Sequence, residues 1–195
     1  MQSGGVPWPG QVPELVTARL RLRAVRPVHD APALLRMFSD PEVTRYHPMP
    51  TLATLAEAQD ALERLVERFT AREMIRWAIL EAGHDELIGS VGLLRIDPAH
   101  LRGELGYDLA RPWWGQGLVP EAAAAVVDFG FFVLGLHRIE AGTLPENHAS
   151  AQVLSKLGFR EEGTLRDYLY VKGRFRSVRW FSLLATDERP ASRCW

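Results

Sequence analysis

Hydrophobic and polar positions change period several times along the chain, and each change marks an element. From Thr17, Leu20 and Leu22 alternate with Arg19, Arg21 and Arg23, the two-residue period of a half-buried strand. His29-Asp30 then precedes Ala33, Leu34, Met37 and Phe38 at helical spacing. Ser39-Asp40-Pro41 ends that helix, because the residue before a proline resists the helical region. A loop over Glu42–Pro50 is expected next. Leu52, Leu55, Ala58, Leu62, Leu65 and Phe69 recur every three or four residues, with Glu57, Asp60, Glu63 and Glu67 on other faces, which predicts an amphipathic second helix. Met74–Leu80 and Leu87–Leu94 are β-rich runs joined by Gly83-His84-Asp85-Glu86, a connection of hairpin length. Gly103–Ala110 forms a further strand after the turn-rich Asp97-Pro98-Ala99-His100.

Pro120–Leu134 is helical and apolar on most sides, so it is expected to be buried against the sheet, and Gly135 supplies its stop. His137–Thr143 reads as a strand, Asn147–Leu157 as a helix ended by Gly158, and Tyr168–Val171 with Val178–Leu184 as a hairpin around Gly173. The predicted order is βααβββαβαββ. No internal repeat and no long linker divides it. Residues 1–14, with their prolines and glycines, are read as a flexible N-terminal tail or an extended arm, 15–186 as one α/β (α+β) domain, and 187–195 as a C-terminal tail.

Composition narrows the class. With 195 residues, 47% of them hydrophobic, the chain is long enough to bury a continuous core, which excludes disordered and collagen-like classes. The net charge of -1 carries no basic field for nucleic acid and no acidic tail for a basic partner, so recognition must come from a local site. Cys194 is the single cysteine, which excludes an intramolecular disulfide and a multi-cysteine metal site. The start does not read as a signal peptide, and a reducing, cytoplasmic setting is favoured. Ala122–Leu136 is interrupted by Asp128, Gly130 and Gly135 and is shorter than the roughly 20 residues of a membrane span, so no membrane partner is expected. No histidine forms the i, i+4 pair with a glutamate that marks a zinc helix, and no metal is expected.

The most informative segment is Leu109-Ala-Arg-Pro-Trp-Trp-Gly-Gln-Gly-Leu118, between a predicted strand and a predicted helix. Unpaired backbone N–H groups and the helix dipole favour an anion at such a place, and Gly115 and Gly117 remove side chains where phosphate oxygens would approach. Two glycines at a helix entry can equally serve only to turn the chain. The third glycine of the dinucleotide fingerprint and the Gly-Lys-Ser/Thr ending of the P-loop are both absent, which disfavours Rossmann and nucleotide-hydrolase readings.

With these residues in view, the chain resembles the GNAT superfamily of N-acetyltransferases, whose acyl-CoA motif is Gln/Arg-x-x-Gly-x-Gly/Ala at the entry to the third helix. Pro112–Gly117 fits at both glycines and departs at the first position. Trp114-Gly-x-Gly117 followed by Glu121, together with Thr17–Arg23, Asp40–Tyr46, Asn147–Ser150 and Lys156–Phe159, is similar to the RimJ/RimL-type branch, ribosomal-protein N-terminal acetyltransferase-like, over about residues 15 to 185. The resemblance implies a mixed, mostly antiparallel sheet of about seven strands flanked by about four helices, with one strand pair splayed to admit CoA.

It also implies roles. Acetyl-CoA is the donor cosubstrate, with its pyrophosphate on Trp114, Gly115, Gln116, Gly117 and Leu118 and its pantetheine along Leu109 and Asn147. Glu104 matches the acidic residue proposed as base in the branch, and its alternative is a solvated strand carboxylate. Many members use a tyrosine seven positions beyond the helix asparagine as acid for the departing thiolate, but that position is Leu154 here. The branch is thought to use the serine at Ser150, which otherwise makes local backbone bonds. Asn147 is a helix cap, a pantetheine ligand, or both. Gly106 would free backbone donors for the thioester carbonyl if it marks a bulge. Arg45, Tyr46 and His47 either face the acceptor or are surface polarity, Trp113 and Trp114 either line the cofactor or pack, and Glu121 favours the positive end of its helix. The acceptor is a primary amine, on a peptide N-terminus or a small molecule. Self-association as a homodimer is common in the family. The alternative function is a non-catalytic acyl-CoA-binding sensor.

Overall fold

The computed structural model describes residues 6–189, so Cys194 lies outside the described residues. The strands are β1 (Leu15–Val16), β2 (Leu20–Ala24), β3 (Ile75–Glu81), β4 (Gly89–Asp97), β5 (Arg102–Leu109), β6 (Arg138–Thr143), β7 (Arg160–Val171) and β8 (Arg174–Leu184). They form one sheet in the order β1-β2-β3-β4-β5-β6-β8-β7. Among the described residues only the β5/β6 pair is parallel. The helices are α1 (Pro27–Phe38), α2 (Pro41–Thr44), α3 (Leu55–Thr70), α4 (Leu118–Phe132) and α5 (His148–Lys156). The mixed α/β (α+β) class is as expected, with the two-residue β1 and the four-residue α2 as additions.

Local chemistry explains where the helices begin. Pro27 opens α1, and the buried Asp30 in its first turn accepts from Arg23 Nη1 and Nη2 and from the Arg26 N–H, each at 2.8 Å, which ties the helix to β2. Burial alone would raise the Asp30 pKa, but these bonds, with that of His29, outweigh it and hold the carboxyl below its ordinary value. Thr54 and Glu57 form a reciprocal capping box at the start of α3. Asp40 accepts the Glu42 N–H at 2.9 Å and starts the short α2, so the first residues of the expected loop are helical.

The alternation read from the sequence becomes two cores on opposite faces of the sheet. Leu22, Ile75, Trp77, Ile79, Val91, Leu93 and Leu105 pack against α4 and α5, whose Val126, Val127 and Leu154 join the same cluster. Ala78 and Leu80 face the other way, onto Leu34, Phe38, Ala58 and Leu62 of α1 and α3. α4 is buried on most sides, from Leu118 to Phe131, as its composition predicts.

β7 begins at Arg160, not Tyr168: its first residues are polar because it is the sheet edge and stays exposed along most of its length, so no apolar alternation marks it. Of the two readings of the N-terminal segment the described part fits the arm, for Val6, Trp8 and Val12 pack against the main core. The carbonyl of Pro13 accepts from the Trp77 indole at 2.6 Å, and Trp8 stacks 5.5 Å from Phe69. Residues 6–14 are therefore an extended arm.

Candidate active site

β5 and β6 pair only at Arg102–Arg138, Gly103–Ile139 and Glu104–Glu140, although β5 runs on to Leu109 and β6 to Thr143. Beyond Glu104 the two strands part and leave backbone edges without a strand partner. The opening is the floor of a cavity of about 550 Å³, walled by the 42–48 segment, the glycine turn, the start of α5 and the β7–β8 hairpin. A site with unpaired strand edges can take an extended ligand by backbone hydrogen bonding. The expected bulge at Gly106 is absent, since Gly106 pairs in register with Gly92. The irregularity lies instead between Leu94 and Asp97, where Arg95 has φ 47°. Arg76, Gly92 and Gly106 share one rung across β3, β4 and β5, and the glycines leave room for the Arg76 side chain to cross it.

The turn between β5 and α4 holds Gly115 at φ 76° and Gly117 at φ 75°, both left-handed. Conformation rather than crowding demands glycine here: a Cβ on Gly115 would meet nothing within 4 Å, and one on Gly117 only Arg19 Nη2 at 3.6 Å. Gly117 is the N-cap of α4 and no side chain caps it, so the first helix amides stay available to an anion. Arg19 Nη1 donates to the Gln116 carbonyl at 2.9 Å, Gln116 Nε2 donates to the Pro112 carbonyl at 3.0 Å, and Leu118 is buried beneath the turn. Arg19 Nη2, beside Gly117, is buried without a partner, which suits an incoming anion. Trp114 donates its indole N–H to the Leu109 carbonyl at 2.7 Å, so that carbonyl is engaged within the protein.

Glu121 does more than favour a helix end. It is buried and accepts from Thr17 Oγ1 at 2.6 Å, from the Arg19 N–H at 2.8 Å and from Arg19 Nε at 2.7 Å. Burial raises its pKa, but these bonds outweigh that and hold it ionised. The clamp fixes the start of α4 to the β1–β2 connection.

Glu104 lies on the last rung before the strands part. Its carboxylate bridges Arg95 Nη1 at 2.7 Å. Burial raises its pKa, Arg95 opposes, Glu140 on the paired strand adds to the rise, and the net shift is upward. Asn147 caps α5, its Oδ1 accepting the Ser150 N–H at 3.2 Å, and Ser150 Oγ lies 2.8 Å from Tyr107 Oη. Tyr107, pushed up to about 12 chiefly by burial, escaped the sequence reading. Alternation along β5 could have found it, since Gly103, Leu105, Tyr107 and Leu109 share a face and Tyr107 is the one polar tip among them.

On the other face of β5, Asp108 accepts from Arg76 Nη2 and from Ser90 Oγ at 2.9 Å, and His47 Nε2 lies 3.3 Å from its other oxygen. The Met49 N–H donates to His47 Nδ1 at 3.0 Å, so the neutral ring carries its proton on Nε2, the nitrogen beside Asp108. Burial lowers the His47 pKa below its ordinary value and raises that of Asp108, but Arg76 and His47 bring Asp108 below the usual carboxylate range. Arg45, Tyr46 and His47 all line the cavity, as do Trp113 and Trp114. Among the described residues no cluster of three His, Cys, Asp or Glu side chains could hold a metal, and no helix is long and apolar enough to cross a membrane.

A sheet that opens beside an uncapped glycine turn, with a carboxylate at the parting rung, defines an acyltransferase of the N-acetyltransferase class. Residues 19–160 match the family described as Acetyltransferase (GNAT) domain, and the chain belongs to that family; its likeness to a RimJ structure is consistent with the RimJ/RimL-type branch. A protein of Bacillus licheniformis named N-acetyltransferase p20 is 41% identical over 89% of this chain and 97% of its own. Spermidine N(1)-acetyltransferase of Vibrio cholerae is 28% identical over 66% of this chain and 74% of its own. Among solved structures, the ribosomal-protein-S5-alanine acetyltransferase of Vibrio fischeri has a TM-score of 0.77 at 26% identity, covering 91% of this chain and 99% of that one. Mycobacterium smegmatis RimJ, in complex with CoA-disulfide, has a TM-score of 0.77 at 29% identity, over 85% of this chain and 82% of that one.

Proposed function

We propose that this enzyme transfers the acetyl group of acetyl-CoA to a primary amine by direct attack on the thioester, in the cytoplasm. The observation that carries the reading is Glu104, a carboxylate with a raised pKa on the rung where β5 and β6 part. An alkyl ammonium has a pKa of about 10 and an α-ammonium about 8, so the acceptor must lose a proton before it attacks. Glu104 takes it, directly or through one water, and its raised pKa brings it closer to the working pH, where a general base is most effective. Unpaired β5 N–H groups polarise the thioester carbonyl, and Ser150 donates to the departing sulfur.

The amides of Trp114–Leu118, with Arg19, hold the donor pyrophosphate. The pantetheine lies in the opening beyond Glu104 and passes Asn147 at the start of α5. Because the Leu109 carbonyl is engaged by Trp114, a contact at Leu109 comes from its remaining backbone N–H or its side chain. A ribosomal-protein alanine and spermidine, named for the relatives, are both primary amines, and that shared chemistry is what we extend to this chain.

The test is release of free CoA from acetyl-CoA against a panel of peptides and small amines, with Glu104→Gln and Ser150→Ala alongside. Glu104→Gln is expected to lower kcat/KM by about 10²–10⁴-fold, the usual weight of general base catalysis. Tight acetyl-CoA binding with no turnover on any amine would favour a sensor instead, and an unchanged Glu104→Gln rate would remove Glu104 as the base.

A further inference from the structure

A serine hydroxyl rotates freely unless a neighbour fixes it, and a donor to a departing sulfur is useful only if its proton already points there. The neighbour of Ser150 is Tyr107, whose Oη lies 2.8 Å from Ser150 Oγ and 3.3 Å from the Ser150 carbonyl oxygen. The phenol reaches α5 from β5, the strand that borders the opening, and both residues line the cavity beside the buried Leu154.

We propose that Tyr107 is a positioning residue for the leaving group: it donates to Ser150 Oγ, which turns the Ser150 proton into the cavity, and the pair stabilises the departing thiolate by hydrogen bonding while both hydroxyls keep their protons. The inference rests on the acetyl-CoA reading of this cavity. In the transfer Glu104 first takes the ammonium proton and passes it to solvent, a C–N bond forms, the C–S bond breaks with its electron pair going to sulfur, and the nitrogen sheds its second proton to Glu104 and then to solvent. Outright proton donation by the pair is opposed by acidity. Tyr107 is pushed up to about 12, mainly by burial, against the lowering effect of its bond to Ser150, whereas an ordinary thiol ionises near about 8.5. A phenol that stays protonated to such high pH is also a constant donor, so the arrangement persists across the working range.

The thiol of bound CoA reads this without an acceptor. Its ionisation can be followed by the pH dependence of alkylation with iodoacetamide, counting carboxamidomethyl-CoA by mass spectrometry. In the wild-type complex the thiol is expected to titrate below free CoA by about one unit, a tenfold gain in ionisation, the scale of a hydrogen bond to a charged group. Tyr107→Phe and Ser150→Ala should each return most of that shift, with CoA affinity little changed below about pH 7, where the thiol is protonated both free and bound, and the double variant should go no further than Ser150→Ala. Ser150→Ala leaves the Tyr107 contact to the backbone carbonyl in place, so it carries the test if Tyr107→Phe misfolds.

A wild-type thiol that titrates like free CoA, variants that leave it unmoved, or variant effects that simply add would each overturn the pairing while the acetyl-CoA reading stands. Failure of the wild-type protein to bind CoA would sink that reading and this inference together.

Discussion

Glu104 and Asp108 lie four residues apart on the same face of the same strand, yet their proton affinities move in opposite directions. Both pay the cost of burial. Asp108 has the Arg76 guanidinium, the Ser90 hydroxyl and the His47 ring around it, all reaching it from other elements, and their combined effect outweighs desolvation. Glu104 has only Arg95, which is largely exposed and screened, and it faces a second carboxylate, Glu140, across the parallel rung. One strand therefore carries a carboxylate locked as an ion and one left able to exchange a proton, the separation of roles that acid–base chemistry requires.

Removing the partner at the locked end should have the largest effect. Arg76→Met leaves Asp108 buried without its cation, and urea unfolding is expected to show a loss of about 3–5 kcal/mol, typical of a broken buried pair. The pH sign follows from the lowered pKa: in the wild type this contribution is fully present above the unfolded value of about 3.9 and is lost as pH falls through the lower folded value. Arg76→Met should flatten that acid loss.

The glycines that let Arg76 cross come next. A Cβ on Gly92 would stand 2.3 Å from the Ile75 carbonyl oxygen, a backbone atom that cannot step aside. Gly92→Ala should therefore lower the unfolding free energy by about 1–3 kcal/mol. Gly115→Ala, with open space around it, should lower it only by the left-handed backbone cost of about 1–2 kcal/mol.

The smallest effects concern the open end, and they sharpen the contrast most. As the proposed base Glu104 would work deprotonated, so activity is expected to be lost as pH falls through its pKa, which lies above the ordinary carboxylate value. Arg95→Ala removes an influence that lowers that pKa and should move the acid limb of kcat/KM to higher pH. Glu140→Gln removes one that raises it and should move the limb lower. If both variants left the limb unmoved, Glu104 would not be the group that sets it.

Much of this was legible in the linear order of residues, for identifiable reasons. The turn at Trp114–Leu118 is a contiguous segment built from backbone, and the need for φ near 75° leaves a written trace as Gly115 and Gly117. The apolar faces of β2, β3 and α4 are equally local. The edge strand β7 is only half marked because exposure on both faces erases periodicity, and the segment 6–14 reads as either tail or arm because its prolines and glycines conceal Val6, Trp8 and Val12, whose burial depends on a core formed much later in the chain.

The order of elements, the turn that opens α4 and the candidacy of Glu104, Asn147 and Ser150 were determined by the sequence itself, since each depends on neighbours a few positions away or on a pattern of such neighbours. Tertiary structure alone decided that Gly106 clears a path for Arg76 rather than marking a bulge, that Tyr107 meets Ser150, that Glu121 clamps Arg19, and that Asp108 is enclosed by Arg76, Ser90 and His47 while Glu104 pairs with the largely exposed Arg95. Those outcomes turn on groups brought together from distant parts of the chain, because a buried charge or hydroxyl takes its properties from whatever surrounds it in space.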